Sequence, residues 1–234
     1  MKPTIHTALI QTGTGNLPAS IDFYKKLHFT LLSAKNPTLF SDGRFVLEIA
    51  EQPTLRSGLK LYGNNWKTFF ESLEPGIAIM EIEGGYLISD PNGVKVYLME
   101  GPPAYSFDLA GLPQALPGKF AGLSIEAVDF EGTVDFWRIL GYQETMGSVE
   151  QGWIAMENGS GIGISVMKAM TCPHLFFNPG LTFFNAGNNL SVIQKIRKVG
   201  IPIAEEIRVL NDSNLVDNII VCDPGGLGFF IFND

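Results

Sequence analysis

Cysteine, positive charge and long apolar runs are all scarce in this chain, and each shortage closes off a class of function. Two cysteines, Cys172 and Cys222, with no CxxC spacing between them, cannot make a disulfide framework and read as two reduced thiols. Sixteen Lys and Arg against 24 Asp and Glu give a formal net charge of −8, with no basic cluster or helical stripe, so a phosphate backbone is repelled and no nucleic-acid partner is expected. No apolar run approaches the roughly 20 residues of a membrane helix, so no membrane partner is expected. The opening MKPTIHTALIQTG puts Pro, His and Gln where a signal peptide needs an apolar centre. The chain therefore reads as cytoplasmic, with an acidic surface suited to cationic ligands. The glycine-rich stretch Glu157–Gly163 lacks a Walker lysine and lies between strand-like runs, so it reads as a hairpin. Ser160 within it has no strand-to-helix elbow and is set aside as a nucleophile.

What the chain does have is a repeat. Ser89-Asp90-Pro91-Asn92-Gly93 precedes VKVYLME, and Cys222-Asp223-Pro224-Gly225-Gly226 precedes LGFFIFND. In each turn Asp caps through its side chain, Pro presets φ, and Gly supplies a conformation that a β-carbon penalises. Further segments match in the same order: Asp22-Phe23-Tyr24 with Asp135-Phe136-Trp137, and Gly63-Asn64-Asn65 with Gly187-Asn188-Asn189. Ordered self-similarity of this kind marks an internal duplication. The boundary falls in residues 101–118, where Pro102, Pro103, Pro113 and Pro117 interrupt helix and strand alike. Residues 1–100 and 119–234 are thus two halves joined by a Pro/Gly-rich linker.

Each half shows a strand, an amphipathic helix and about three strands, twice over. The helical stripes are Leu17, Ile21, Tyr24 and Leu27; Trp66, Phe69, Phe70 and Leu73; Phe130, Val134, Trp137 and Leu140; and Leu190, Ile193, Ile196 and Val199. Each is one-sided and calls for a sheet beneath it. In VKVYLM, Val94, Val96 and Leu98 alternate with Lys95, Tyr97 and Met99; in RFVLEIA, Phe45, Leu47 and Ile49 alternate with Val46, Glu48 and Ala50. One face suits helices. The other, carrying Glu48, Lys95 and Tyr97, suits the wall of a cleft on a curved sheet.

Taken with IDFYKKLHF, VDFWRILGY and the turns DPNG and DPGG, this order closely resembles the vicinal oxygen chelate superfamily, which includes glyoxalase I, extradiol dioxygenases and bleomycin resistance proteins. The resemblance covers nearly the whole chain outside the linker. It implies an α+β fold of four βαβββ modules, paired into two curved eight-stranded sheets with helices on the outer faces, each sheet forming a cup, with the small-molecule cup in the first half. It also implies a site. IHTALIQT is similar to the first strand of glyoxalase I and lays His6 on a metal histidine, while FVLEIA lays Glu48 on a metal glutamate. The matching positions elsewhere fall on Gly58 and Tyr97, near Gly122 and Ser165, and on Gly180 and Phe230, none a usual ligand.

Two readings follow. In one, the first half is a metal-free cup that binds an organic molecule with Lys95, Tyr97 and aromatic walls, as antibiotic-resistance members of the superfamily do. In the other, His6 and Glu48 hold a divalent metal, or Glu48 acts as general base beside His6, in a lyase, isomerase or dioxygenase of the glyoxalase type. Without metal, His6 and Glu48 would share a buried hydrogen bond, with Lys95 available to pair with Glu48, or would be unrelated, partly exposed side chains. In the second half Thr182, Phe184 and Phe230 share the parity of the presumed cup: with Phe176 and Phe177 they line a nonpolar site if it is open, and fill it if it is collapsed. His28 and His174 read as structural or solvent-facing. Four modules in one chain can complete both cups, so a monomer or loose homodimer is expected.

Overall fold

The structure is a computed structural model and describes residues 3–73 and 76–234. Its elements run β1 (Thr4–Gly13), α1 (Leu17–Lys26), β2 (Thr30–Ser33), β3 (Thr38–Ser41), β4 (Val46–Ala50), β5 (Gly58–Asn64), α2 (Trp66–Phe70), β6 (Met80–Ile82), β7 (Gly85–Ser89) and β8 (Lys95–Glu100) in the first half. The second half repeats the order: β9 (Lys119–Ala127), α3 (Phe130–Ile139), β10 (Gln143–Ser148), β11 (Trp153–Glu157), β12 (Ile164–Lys168), β13 (Gly180–Phe184), α4 (Asn189–Lys198), β14 (Ile203–Ile207), β15 (Asn218–Cys222) and β16 (Gly228–Phe232). Among the described residues these are four βαβββ modules in two eight-stranded sheets, ordered β2-β3-β4-β1-β5-β8-β7-β6 and β10-β11-β12-β9-β13-β16-β15-β14.

Each sheet joins its two modules through their first strands, β1 antiparallel to β5 and β9 antiparallel to β13, and each first strand runs parallel to the last strand of its own module. α1 and α3 form where capping residues precede apolar stripes: the Asn16 side chain accepts from the Ala19 amide at the start of α1, and Asp129 accepts from the Gly132 amide at the start of α3. Lys195, Arg197 and Lys198 in the last turn of α4 suit the negative end of its dipole. α1 stops where His28 adopts φ 61°, a left-handed position usually held by glycine.

The helices and the faces of both sheets beneath them share one hydrophobic cluster, with Val94, Val96 and Leu98 and also Phe45, Leu47 and Ile49 on the expected side. The duplicated motifs meet across it reciprocally. Tyr24 of α1, fully buried and stacked on Phe40 at 5.4 Å, donates from its hydroxyl to Asp223 Oδ2 at 2.7 Å, in the turn before β16. Trp137 of α3, its counterpart, holds its indole N–H beside Asp90, in the turn before β8, and Asn92 Nδ2 donates to Thr133. Each Asp also builds its own turn: Asp90 Oδ1 accepts from the Asn92 and Val94 amides, Asp223 Oδ1 from those of Gly225 and Leu227, and Gly93 and Gly226 take φ of 85° and 97°. The turn therefore does two jobs, closing a hairpin and pinning the other half's helix.

Residues 101–118 do more than connect. Tyr105, Phe107 and Leu109 pack on Leu9, Leu39, Val46 and Tyr62, which lie on the face of the first sheet away from the helices. The segment then bonds to the sheet's flank, Ala115 N to Asp42 O and Leu116 N to Leu27 O, before β9 begins.

Candidate functional site

Cross-strand register arranges the concave face of the first sheet in rows. One row runs Glu48, Gln11, Gly58, Lys95 and Ser89 across β4, β1, β5, β8 and β7; the next runs Leu9, Lys60, Tyr97, Leu87 and Met80 across β1, β5, β8, β7 and β6. The alternation of GLKLYG explains Lys60: Leu59 and Leu61 enter the helix-side core, so the lysine between them must face the cup.

At one end of this face Glu48 is almost wholly buried. Lys60 Nζ donates to its Oε1 at 2.7 Å, and the Tyr105 hydroxyl donates to its Oε2 at 2.5 Å. Burial and the adjacent Glu48 charge push the Tyr105 hydroxyl far above the ordinary phenol value, which keeps it a donor. The linker thus closes the Glu48 end of the cup.

The other end is open. A cavity of about 540 Å³ is lined by Gln11, Lys60, Lys95, Tyr97, Leu87 and Met99, with Met80, Ile82 and Glu83 on one side and residues of the 52–56 loop on the other. Tyr97 donates to the Arg56 carbonyl at 2.8 Å and ties that loop to the sheet. Burial raises its hydroxyl above the usual value, opposed by the Gln11 side chain beside it. Lys95 Nζ donates to Ser89 Oγ at 2.8 Å.

Three expectations are corrected by this geometry. His6 and Glu48 do not approach one another: the residue paired with Glu48 is Gln11, five positions and about 16 Å of strand from His6. β1 bulges between Ile5 and Thr7, and His6, the extra residue, lies exposed with Nε2 3.1 Å from Asn64 Nδ2. The partner of Glu48 is Lys60 rather than Lys95. The lining is also cationic, with Arg56, Lys60 and Lys95, against the expectation of a cationic ligand drawn from net charge. Lys95 and Tyr97 do share the open cup.

A metal of the kind the fold family implies does not fit here. Both Glu48 oxygens are engaged by an ammonium and a phenol, and the facing positions on β1, β5 and β8 carry Gln11, Lys60, Lys95 and Tyr97. A lysine against the Glu48 carboxylate neutralises the charge a divalent cation needs. Among the described residues no three His, Cys, Asp or Glu side chains cluster as a ligand set.

The second cup is filled. Phe230, 1% exposed, packs with Ile207, Ile220, Phe232, Phe176 and Phe177 on the concave side of the second sheet. Thr182 is buried and its hydroxyl lies 2.6 Å from that of Ser124, while Phe184 is half-buried and outside this cluster. Glycines admit the plug: a β-carbon at Gly180 would stand 2.3 Å from the Phe230 ring, and one at Gly228 2.4 Å from Phe177 Cβ. His174 stacks over Phe176 and edges Phe232. The aromatic residues therefore pack against one another and fill the concave side of the second sheet.

With this geometry, the fold is the one seen in solved structures of extradiol dioxygenases and of a glyoxalase. The chain superposes over its full length on 89% of a catechol 2,3-dioxygenase, with TM-score 0.60 and 12% identity. It matches 80% of homoprotocatechuate 2,3-dioxygenase from Arthrobacter globiformis at TM-score 0.64 and 11% identity, and 83% of a Mn(II)-bound glyoxalase from Novosphingobium aromaticivorans at TM-score 0.55 and 12% identity. No protein-family model matches the chain, and no curated protein does. At such identities the likeness is one of fold. Among the described residues no helix is long and apolar enough to cross a membrane.

Proposed function

We propose that this protein binds a small organic molecule in the open cup of its first sheet, without a metal held by His6 and Glu48. The cavity of about 540 Å³ between Tyr97, Leu87 and the 52–56 loop carries this reading. It has the size and the mixture of apolar walls with a few convergent polar groups that small-molecule sites have. Catalysis of the dioxygenase or Mn(II)-glyoxalase kind would require a ligand set that Glu48, committed to Lys60 and Tyr105, does not supply. Lys95, Tyr97 and Gln11 are the ligand-orienting groups, and Leu87 and Met99 the apolar walls. The second half supports the first through the shared core, and a monomer or loose dimer in the cytoplasm suffices, since one chain completes both sheets.

The test is a thermal-shift screen of small organic compounds against the protein and against Leu87→Trp, which fills the cavity. A ligand specific for the folded state raises Tm by mass action. Stabilising compounds are expected to lose their effect in Leu87→Trp; compounds that stabilise both proteins equally, or a screen without any stabilising compound, would overturn the reading.

A further inference from the structure

The open cup has an electrostatic character opposite to that of the whole chain. Arg56, Lys60 and Lys95 line it, Glu83 stands at its edge, and Glu48 lies against Lys60 at its closed end. Three cations and two carboxylates leave one net positive charge, in a chain of net charge −8. The Lys60 charge is consumed: its ammonium is 2.7 Å from Glu48, and its side chain is only 13% exposed. Lys95 is different. Its ammonium touches the neutral Ser89 hydroxyl, and among the described residues neither Lys95 nor Arg56 has a carboxylate within ion-pair distance.

Arg56 and Lys95 also line a second hollow. A cleft of about 430 Å³ between the halves, bounded by Pro53, Ser57, Gly93 and Asn178, shares Leu55, Arg56 and Lys95 with the cup. The two cations thus stand where an apolar cup opens into a polar cleft. On the cup side the walls are Leu87, Met80, Ile82 and Met99. A ligand filling both environments has an apolar body toward β6 and β7 and a polar head toward Lys95 and Arg56.

We infer that the cup selects a small organic monoacid, its apolar body against Leu87 and Met99 and its carboxylate between Lys95 and Arg56. A single anionic charge matches the single positive charge left in the site. A dianionic head group would leave one charge uncompensated in an acidic protein. Lys and Arg donors to a carboxylate make charge-assisted hydrogen bonds, worth roughly twice a neutral one. Ser89, which orients Lys95, is a positioning residue. The inference rests on the binding function proposed above for the same cup and adds the ligand's charge.

One apolar body with three heads separates the two claims: 4-phenylbutyrate, 4-phenylbutanamide and 4-phenylbutylamine, titrated calorimetrically into the full chain. The acid is expected to bind about 10- to 100-fold more tightly than the amide, the scale of one charge-assisted hydrogen bond, and the amine most weakly. Lys95→Met and Arg56→Met should each reduce the acid's affinity by more than the amide's, narrowing the gap between the two. Raising salt should weaken the acid and not the amide, because these cations are near the surface. Equal binding of acid and amide, or an acid preference that survives both substitutions, would overturn the charge assignment while leaving the cup as a binding site. If no head group binds, the inference falls with the binding function itself.

Discussion

The two halves share a topology strand for strand, yet one cup is open and the other is solid. On the second sheet, Gly180 and Gly228 leave room for Phe230 and Phe177, whose rings fill the concavity together with Phe176 and Phe232. On the first, the row opposite carries Glu48, Gln11 and Lys95, and the polar groups keep the surface from collapsing. Burying those groups without partners would cost more than the apolar contacts return. The same fold therefore gives an open or a filled concave face according to which side chains occupy it, while the other face, under the helices, stays apolar in both.

That contrast can be broken at its strongest point first. Phe230→Ala should cost about 3–5 kcal/mol of unfolding free energy, as for large-to-small changes in a packed core, whereas Leu87→Ala on the half-buried wall of the open cup should cost about 1 kcal/mol. Urea denaturation of both variants checks the difference, and similar losses would mean the cups are equally packed. Next, Lys60→Met should destabilise by about 3 kcal/mol, because it leaves the buried Glu48 carboxylate without its cation. Restoring much of that loss in Lys60→Met/Glu48→Leu would show that the cost is the orphaned charge and not lost packing.

Gly228→Ala should cost about 1–3 kcal/mol, since its β-carbon would stand 2.4 Å from Phe177 Cβ and the plug must shift. An unchanged denaturation midpoint would mean the plug is loose. The smallest effect is one of pH. Burial raises Asp90 and Asp223 above the ordinary carboxyl value of 3.8, so the folded chain holds those protons more tightly than the unfolded chain. Their contribution to stability is full below that ordinary value and is lost as pH rises through the raised ones. Asp223→Asn should flatten this part of the stability profile as pH rises above the ordinary carboxyl value, with Tyr24 still bonded to the turn. A slope unchanged from the parent chain would assign the pH dependence elsewhere.

The fold was legible because its signals are local and repeated. Asp90 and Asp223 announce the same turn, Tyr24 and Trp137 the same helix position, and the alternation of Val94 to Met99 gives the correct face for Lys95 and Tyr97. The site was less legible where it depends on register. His6 and Gln11 lie on one strand, and only the pairing of β1 with β4 says which of them meets Glu48; the bulge at His6 has no mark in the sequence. Lys60 could have been found, since it is the lone charge between Leu59 and Leu61. The linker's role was also visible in outline, because Tyr105, Phe107 and Leu109 alternate like a strand with one face to bury. Arg56 sits in a loop, where periodicity carries no information.

The central claim is that ligand enters the first cup and not the second. Chemical-shift mapping of the isotopically labelled protein during titration with 4-phenylbutyrate tests it most directly. The account predicts saturable shifts at Gln11, Lys60, Leu87, Lys95 and Tyr97, with Thr182, Phe176 and Phe230 unmoved. Saturable shifts centred on Phe176 and Phe230, with the first cup silent, would contradict it.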